Sequence, residues 1–239
     1  MKVIALNGSA RGLKGVTWKL MGAFLRGLQE GGATVTSIQL NDLNISCCNA
    51  CLTCMHKTPG RCAVRDDMDR IYPHLKESDV FVMGTPVYTD SMSAQMKAVM
   101  DRCICGMDPF LVIDGTGRVR HPLNWTMPSK FFLVSTSGFP EAENFQPLVA
   151  TYRAHAVNFG SMSAGEICVP GSIALQMAPN HLEPRLDRIR LAGKMLAHDG
   201  KVEPVLLEEI NKPILTREQY LEISRKYEDW ARKHRKEAT

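Results

Sequence analysis

No apolar run in the 239-residue chain reaches the roughly 18 residues needed to span a bilayer, which excludes a membrane partner reached through a spanning helix. Charge of one sign is scarce too. Lys and Arg number 29 against 25 Asp and Glu, a formal surplus of +4 that is spread along the chain and densest near its end. So small and diffuse an excess is not the footprint of a nucleic-acid binder. The usual phosphate-loop signatures are also missing from the first loop. Leu13 stands where a Walker A loop needs its second Gly, and Ala10 occupies the second Gly of a dinucleotide fingerprint. Low-complexity stretches and internal repeats do not occur, and a hydrophobic fraction of 44% suits one globular α/β domain with an extension. The opening Met1–Gly8 has only a short apolar run that breaks at Gly8. It reads as a first strand and not as a signal peptide.

Cysteine, by contrast, is present and concentrated. Five of the eight fall between Cys47 and Cys62. With no export signal, that usage points to a reducing cytoplasm and to metal or redox chemistry. From Cys48 the spacing is C-x2-C-x2-C-x7-C, through Cys51, Cys54 and Cys62. Three thiols at steps of three, with a fourth one short loop away, can converge on one object, as the ligands of iron–sulfur clusters do. Zinc is the nearest rival, although structural zinc sites usually pair two knuckles across a longer gap. Free or redox-active thiols are the third reading. Cys47 fits the spacing poorly and is left outside the set.

Along the chain, buried-strand patterns alternate with helical ones. Val3–Leu6 is apolar on both faces. The polar loop Asn7–Thr17 follows, then a helix carried by Trp18, Leu20, Met21, Phe24, Leu25 and Leu28 and stopped at Gly31-Gly32. A loop of this kind at a helix start suits a phosphate; its bland alternative is an ordinary strand–helix turn. Thr34–Leu40 is a second strand, with the cysteine loop hanging from its end. Asp67 is expected as the cap of a helix bearing Met68, Ile71 and Leu75, with Asp66-Asp67 complementing its dipole. Asp79–Gly84 is a third strand opening into Thr85-Pro86-Val87-Tyr88, where Tyr88 could cover a flat ring. Residues 105–128 read as an inserted hairpin turning at Asp114–Gly117, with Arg118, Arg120 and His121 taken as solvated. Lys130–Ser135 is a fourth strand opening into Thr136-Ser137-Gly138. A helix over Phe145–Phe159, a fifth strand over Gly165–Pro170 and a helix over Leu182–Leu196, with Arg185, Arg188 and Arg190 expected mostly outward, complete the alternation. In the extension 200–239, Pro204–Leu207 is expected as a short extended piece. Thr216 is expected to cap a terminal helix with the stripe Tyr220, Ile223, Tyr227 and Trp230, packed on the domain of residues 1–199 or on a second subunit.

Five strands alternating with helices, with polar loops after strands one, three and four, make a doubly wound flavodoxin-like α/β pattern. Its parallel sheet is expected in the order 2-1-3-4-5, with an inserted hairpin and a C-terminal helical extension. The opening Asn7-Gly8-Ser9-Ala10-Arg11, the cysteine run with Asp66-Asp67, Gly84-Thr85-Pro86-Val87-Tyr88, Lys97-x3-Asp101-Arg102 and Gly117-Arg118-x-Arg120-His121-Pro122 together resemble the iron–sulfur flavoproteins. Those belong to the wider superfamily of NAD(P)H-dependent FMN reductases. The likeness covers roughly residues 1–195 and departs at Ala10 and Val16, where Pro and Asn are usual.

The resemblance implies an FMN-dependent oxidoreductase whose phosphate site is Ser9, Arg11, Val16 and Thr17. Thr85, Pro86, Val87, Tyr88 and Ser91 would hold one edge of the flavin, and Ser135, Ser137 and Gly138 another edge or the ribityl chain. A backbone N–H of Val87 or Tyr88 would tune flavin N5. Cys48, Cys51, Cys54 and Cys62 would hold a [4Fe–4S] cluster. No catalytic side chain is implied. NAD(P)H or a small carrier such as ferredoxin would supply electrons to a homodimer or homotetramer. The alternatives are a cluster-free NAD(P)H-dependent FMN or quinone reductase, and a non-enzymatic zinc- or redox-sensing module.

Overall fold

The computed structural model describes residues 1–236. In chain order, β1 (Lys2–Asn7) leads through the first loop to α1 (Val16–Glu30) and β2 (Thr34–Gln39). The cysteine loop holds the one-turn helix α2 (Thr53–His56), and α3 (Met68–Glu77), β3 (Val80–Pro86) and α4 (Ala94–Arg102) follow. The hairpin β4 (Val112–Ile113) and β5 (Val119–Arg120) precedes β6 (Lys130–Thr136), α5 (Gln146–Asn158), β7 (Met162–Val169) and α6 (Ser172–Met177). The chain ends in α7 (Glu183–Asp199), α8 (Pro204–Asn211) and α9 (Arg217–Lys236).

The main sheet is parallel throughout, in the order β2-β1-β3-β6-β7. With the antiparallel hairpin β4–β5 set aside as the insertion, this is the flavodoxin-like order expected from the sequence. Alternation along the central strands divides the core in two. Val3, Ala5, Val80, Val82, Phe132 and Val134 face α1 and α7. Ile4, Leu6, Phe81, Met83, Phe131 and Leu133 face the layer of α3, α4 and α5. Helices α1 and α7 approach so closely that a Cβ on Gly27 would run into the Arg190 carbonyl, and one on Gly193 into the Phe24 carbonyl.

Four details differ from the sequence expectation. Pro204–Leu207 begins a helix, because Pro204 sits at its first turn, where a missing N–H costs nothing. Asp67 does not cap α3: the Met68 N–H goes to Asp66 Oδ1 (3.0 Å), while Asp67 Oδ2 accepts from the Asn44 N–H (2.8 Å). Strand β7 starts at Met162, three residues early, as an edge strand with exposed Met162 and Ser163. Arg185 does not point to solvent; its Nη1 binds the last carbonyls of α8, at Glu209, Ile210 and Lys212. Helix α8 in turn protects the edge of β7: Asn211 accepts from the Cys168 N–H (2.8 Å) and donates to the Glu166 carbonyl (3.0 Å). Thr216 and Gln219 form a reciprocal capping box at the start of α9. On the terminal stripe, Tyr220 is buried and Ile223 packs on the core, whereas Tyr227 and Trp230 are about half exposed.

One buried side chain fixes the carboxyl end of the sheet. Asn7, fully buried, donates through Nδ2 to Gln39 Oε1 (2.6 Å) and to the Gly12 carbonyl (3.3 Å), and its Oδ1 accepts from the Ser9 N–H (3.1 Å). It ties the end of β1 to the first loop and to the last residue of β2, from which the cysteine loop departs. Two stability outcomes follow. Gly193→Ala forces α1 and α7 apart and lowers stability by about 1–3 kcal/mol in denaturant titration. Asn7→Ala strands several buried polar groups and costs about 1–3 kcal/mol. The Asn7 variant also loses order in the first loop, seen as faster amide exchange at Ser9 and Gly12.

Candidate functional site

Beyond the carboxyl ends of β1, β3 and β6 lies a cleft of about 320 Å³, where open parallel sheets bind ligands. Its floor is the start of α1. Gly15, in extended conformation, occupies the cap position with no side chain to satisfy the helix, so the first N–H groups of α1 remain available. A Cβ on Gly15 would lie 2.7 Å from Ser9 Oγ, so the turn tolerates no larger residue without a shift. Gly12, at φ +52°, folds the loop back on itself. Val16 and Thr17 line the floor, with Thr17 Oγ1 held 2.8 Å from Thr136 Oγ1 across the cleft. Arg11 lines it from the exposed side, with no hydrogen bond or ion pair from its guanidinium among the described residues. Free helix amides, two hydroxyls and an unengaged guanidinium are the donors a phosphate monoester needs. Pro86, Val87 and Tyr88 form one wall, and Gly138, Ser172 and Ile173 another.

Of the twelve residues named from sequence for a flavin, eight line this cleft: Ser9, Arg11, Val16, Thr17, Pro86, Val87, Tyr88 and Gly138. The other four do not. Thr85 is buried, donating to the Pro86 carbonyl (3.1 Å) and accepting from the Ser93 N–H (2.9 Å). Ser135 is buried against the Thr85 carbonyl (2.6 Å), and Ser137 bonds the Phe139 carbonyl (2.9 Å). Ser91 closes the turn that carries Tyr88 through paired backbone bonds. The expected amide donors near flavin N5 are both engaged: Val87 N–H binds the Thr136 carbonyl (2.8 Å) and Tyr88 N–H the Ser91 carbonyl (2.9 Å). The next two amides, of Thr89 and Asp90, carry no hydrogen bond among the described residues, and both residues are held left-handed at φ +46° and +63°. Sequence reasoning missed Gly15, Thr136, Ser172 and Ile173. The signal for the last two was Pro170-Gly171 at the end of β7: Gly171 turns left-handed (φ +80°) and swings α6 over the cleft.

A second, smaller cavity of about 60 Å³ lies under the cysteine loop. Cys48, Cys51, Cys54 and Cys62 all line it, and Cys105 joins them. Ala50 and Leu52, both at φ +53°, flank Cys51 and curl the loop around the space. Burial pushes the Cys54 thiol up, and its neighbours Cys62, Cys51 and Cys48 push the same way. Hydrogen bonds from Thr53 hold exposed Cys51 down. Burial raises Cys105 to about 11. No carboxylate or imidazole lines the cavity, so its donor set is soft, as iron–sulfur and zinc sites require. Among the described residues no three such groups stand at metal-ligating distance. The donor chemistry fits a metal–thiolate centre, while the loop is not drawn in around one. Cys47 is exposed and lies outside the cavity, and Cys103 and Cys168 are buried elsewhere in the core.

Comparison with known proteins adds a family. Residues 1–125 match the model of the NADPH-dependent FMN reductases. The chain is 39% identical over 102 residues to an iron-sulfur flavoprotein of Methanocaldococcus jannaschii, covering 43% of this chain and 51% of that one. It is 36% identical over 104 residues to an iron-sulfur flavoprotein of Archaeoglobus fulgidus, covering 44% and 46%. The matches thus span about half the length of these relatives. In fold it is similar to an NAD(P)H:quinone oxidoreductase from Methanothermobacter marburgensis (TM-score 0.60, 16% identity, 82% of this chain and 98% of that one). It is also similar to an FMN-dependent NADH-azoreductase from Bacillus anthracis in complex with FMN (TM-score 0.57, 15% identity, 82% and 100%). A family model that covers more than half of the chain, on the fold and cleft described above, settles its membership: the chain belongs to the NADPH-dependent FMN reductase family.

Proposed function

We propose that the protein is an FMN-dependent oxidoreductase of the iron–sulfur flavoprotein type, in which FMN and a [4Fe–4S] cluster together link a reduced donor to an acceptor. The observation that carries this reading is the pairing of two cavities in one domain: a phosphate-ready cleft at the sheet's carboxyl edge, and a cavity ringed by four thiols on the loop leaving β2. The start of α1, with Ser9, Arg11 and Thr17, would hold the FMN phosphate. Pro86, Val87 and Tyr88 would flank the ring on one side, and Gly138, Thr136, Ser172 and Ile173 on the other. Cys48, Cys51, Cys54 and Cys62 would hold the cluster.

Bound flavin supplies exchange of two electrons with a hydride donor and of one at a time with a metal centre. The chain's own part is to bind, orient and shield. No acid or base side chain lines the cleft besides Arg11 and Tyr88, so proton delivery falls to solvent at the open side, where Tyr88 is 44% exposed. With the Val87 and Tyr88 amides engaged, the unpaired amides next along the chain, of Thr89 and Asp90, would be the ones free to meet the ring's edge. NAD(P)H or a ferredoxin-like carrier would be the electron source. Assembly as a homodimer or homotetramer in the cytoplasm completes the proposal. One observation favours a rival, a cluster-free NAD(P)H-dependent FMN or quinone reductase: among the described residues the thiols around the cavity do not stand together at metal-ligating distance.

Two measurements separate these readings. Protein made and kept without oxygen is expected to carry FMN and about four iron atoms per chain. Cys54→Ser should lose the iron and keep the flavin; flavin with no iron in the wild type selects the cluster-free reductase, and zinc without flavin removes both. Arg11→Ala removes a charged partner of the phosphate and should weaken FMN binding about tenfold or more, read by fluorescence titration. Unchanged affinity would move the phosphate elsewhere.

A further inference from the structure

Arg102, the last residue of α4, is the bulkiest of the fully buried side chains, at 1% exposure. A buried cation is costly unless its charge and its hydrogens are matched. Its five donors can be accounted for singly. Nη1 donates to the Ser46 carbonyl (2.9 Å) and to Asp66 Oδ2 (2.7 Å). Nη2 donates to the Val64 carbonyl (3.0 Å) and to Asp66 Oδ1 (3.3 Å). The fifth donor, Nε–H, is buried and meets no acceptor among the described residues. Arg102 lies in the wall of the thiol-ringed cavity, and Asp66 does not.

The two carbonyls are the stems of the cysteine loop. Ser46 directly precedes the run that begins at Cys47, and Val64 follows Cys62 by two residues. Asp66 completes the clasp by accepting from the Ser46 N–H (2.9 Å) as well. Burial would raise the Asp66 carboxyl, but the Arg102 hydrogen bond and the Ser46 and Met68 amides hold it below the usual range. Holding the stems accounts for four donors. It does not call for a full charge on a residue of the cavity wall, nor for that residue's buried, unpartnered N–H. Of the two members of the ion pair, the positive one lines the cavity that the thiols line, and the negative one does not.

We propose that Arg102 is a positioning residue for the metal–thiolate centre: its Nε–H donates to a thiolate or sulfide sulfur in the cavity, and its charge raises the centre's reduction potential. This rests on the cluster reading above. When an external reductant gives the centre one electron, no bond forms or breaks and no proton moves. The added negative charge would lie near the guanidinium, which would favour the reduced form. Net charge and hydrogen bonds to sulfur are the levers that set such potentials.

The test uses the full-length protein, prepared anaerobically as wild type, as Arg102→Lys, and as the double variant Asp66→Asn with Arg102→Gln. The double variant removes the pair without stranding a buried charge. Iron, acid-labile sulfide and FMN are counted per chain, and the cluster's potential is titrated electrochemically with EPR detection. Retained FMN reports an intact fold. The double variant is expected to hold its iron less firmly and to titrate lower by at least a tenfold change in the one-electron equilibrium, which is about 59 mV. Arg102→Lys, with charge kept and the Nε–H lost, should fall between. A double variant with full iron and an unshifted potential overturns the proposal and leaves Arg102 as a clasp alone. If the double variant holds no iron, Arg102→Lys decides: a lowered potential upholds the proposal, and an unshifted one overturns it. Loss of iron from Arg102→Lys itself, with FMN retained, also overturns it, since the charge is still there. Wild type without iron instead sinks the cluster reading.

Discussion

The structure depends on keeping three strand ends in step. The parallel register places Asn7, Pro86 and Thr136 at the same edge of the sheet, and every polar group there must find a partner once buried. Asn7 solves this for β1 by bonding forward to the first loop and sideways to β2. Thr85 and Ser135 solve it for β3 and β6 by turning inward onto backbone. With those groups satisfied internally, the α1 amides remain unsatisfied and open to the cleft. An anion there would complete the accounting.

A second closure is built on the first. The cysteine loop leaves β2 next to the residue that Asn7 holds, and it returns through Val64 and Asp66 to the start of α3. Arg102 reaches it from α4 and holds both stems. The two cavities therefore share a frame: β1 and β2 position one side, and α4, following the β3 loop, positions the other. Loosening either the Asn7 or the Arg102 contacts disturbs a stem of the cysteine loop, even though both residues lie far from that loop in sequence.

What could be read from the sequence was whatever repeats locally. Strands of the buried sheet announced themselves by unbroken apolar runs, and α1 by its three-and-four spacing. Of the twelve residues carried over from the family resemblance, eight line the cleft. What the sequence left hidden has separate causes. Thr85, Ser135 and Ser137, named from the resemblance, have hydroxyls bonded to nearby backbone carbonyls, a tertiary pairing that their place in the sequence does not reveal. Pro204–Leu207 was misread because a short apolar run fits a strand as well as a helix. Arg102 and Asp66 lie 36 positions apart, and a charge pair buried by tertiary contact leaves no periodic trace. Gly15 carries no side chain to notice, yet its bareness is what exposes the helix start.

The central claim is that one domain holds a flavin over the α1 start and iron among the four thiols. Anaerobic crystals measured on either side of the iron absorption edge test it most directly. The account predicts a strong anomalous peak enclosed by Cys48, Cys51, Cys54 and Cys62, together with planar density against Pro86–Tyr88 whose phosphate meets Val16 and Thr17. No anomalous peak at the thiols, or a flavin seated away from the first loop, would contradict it.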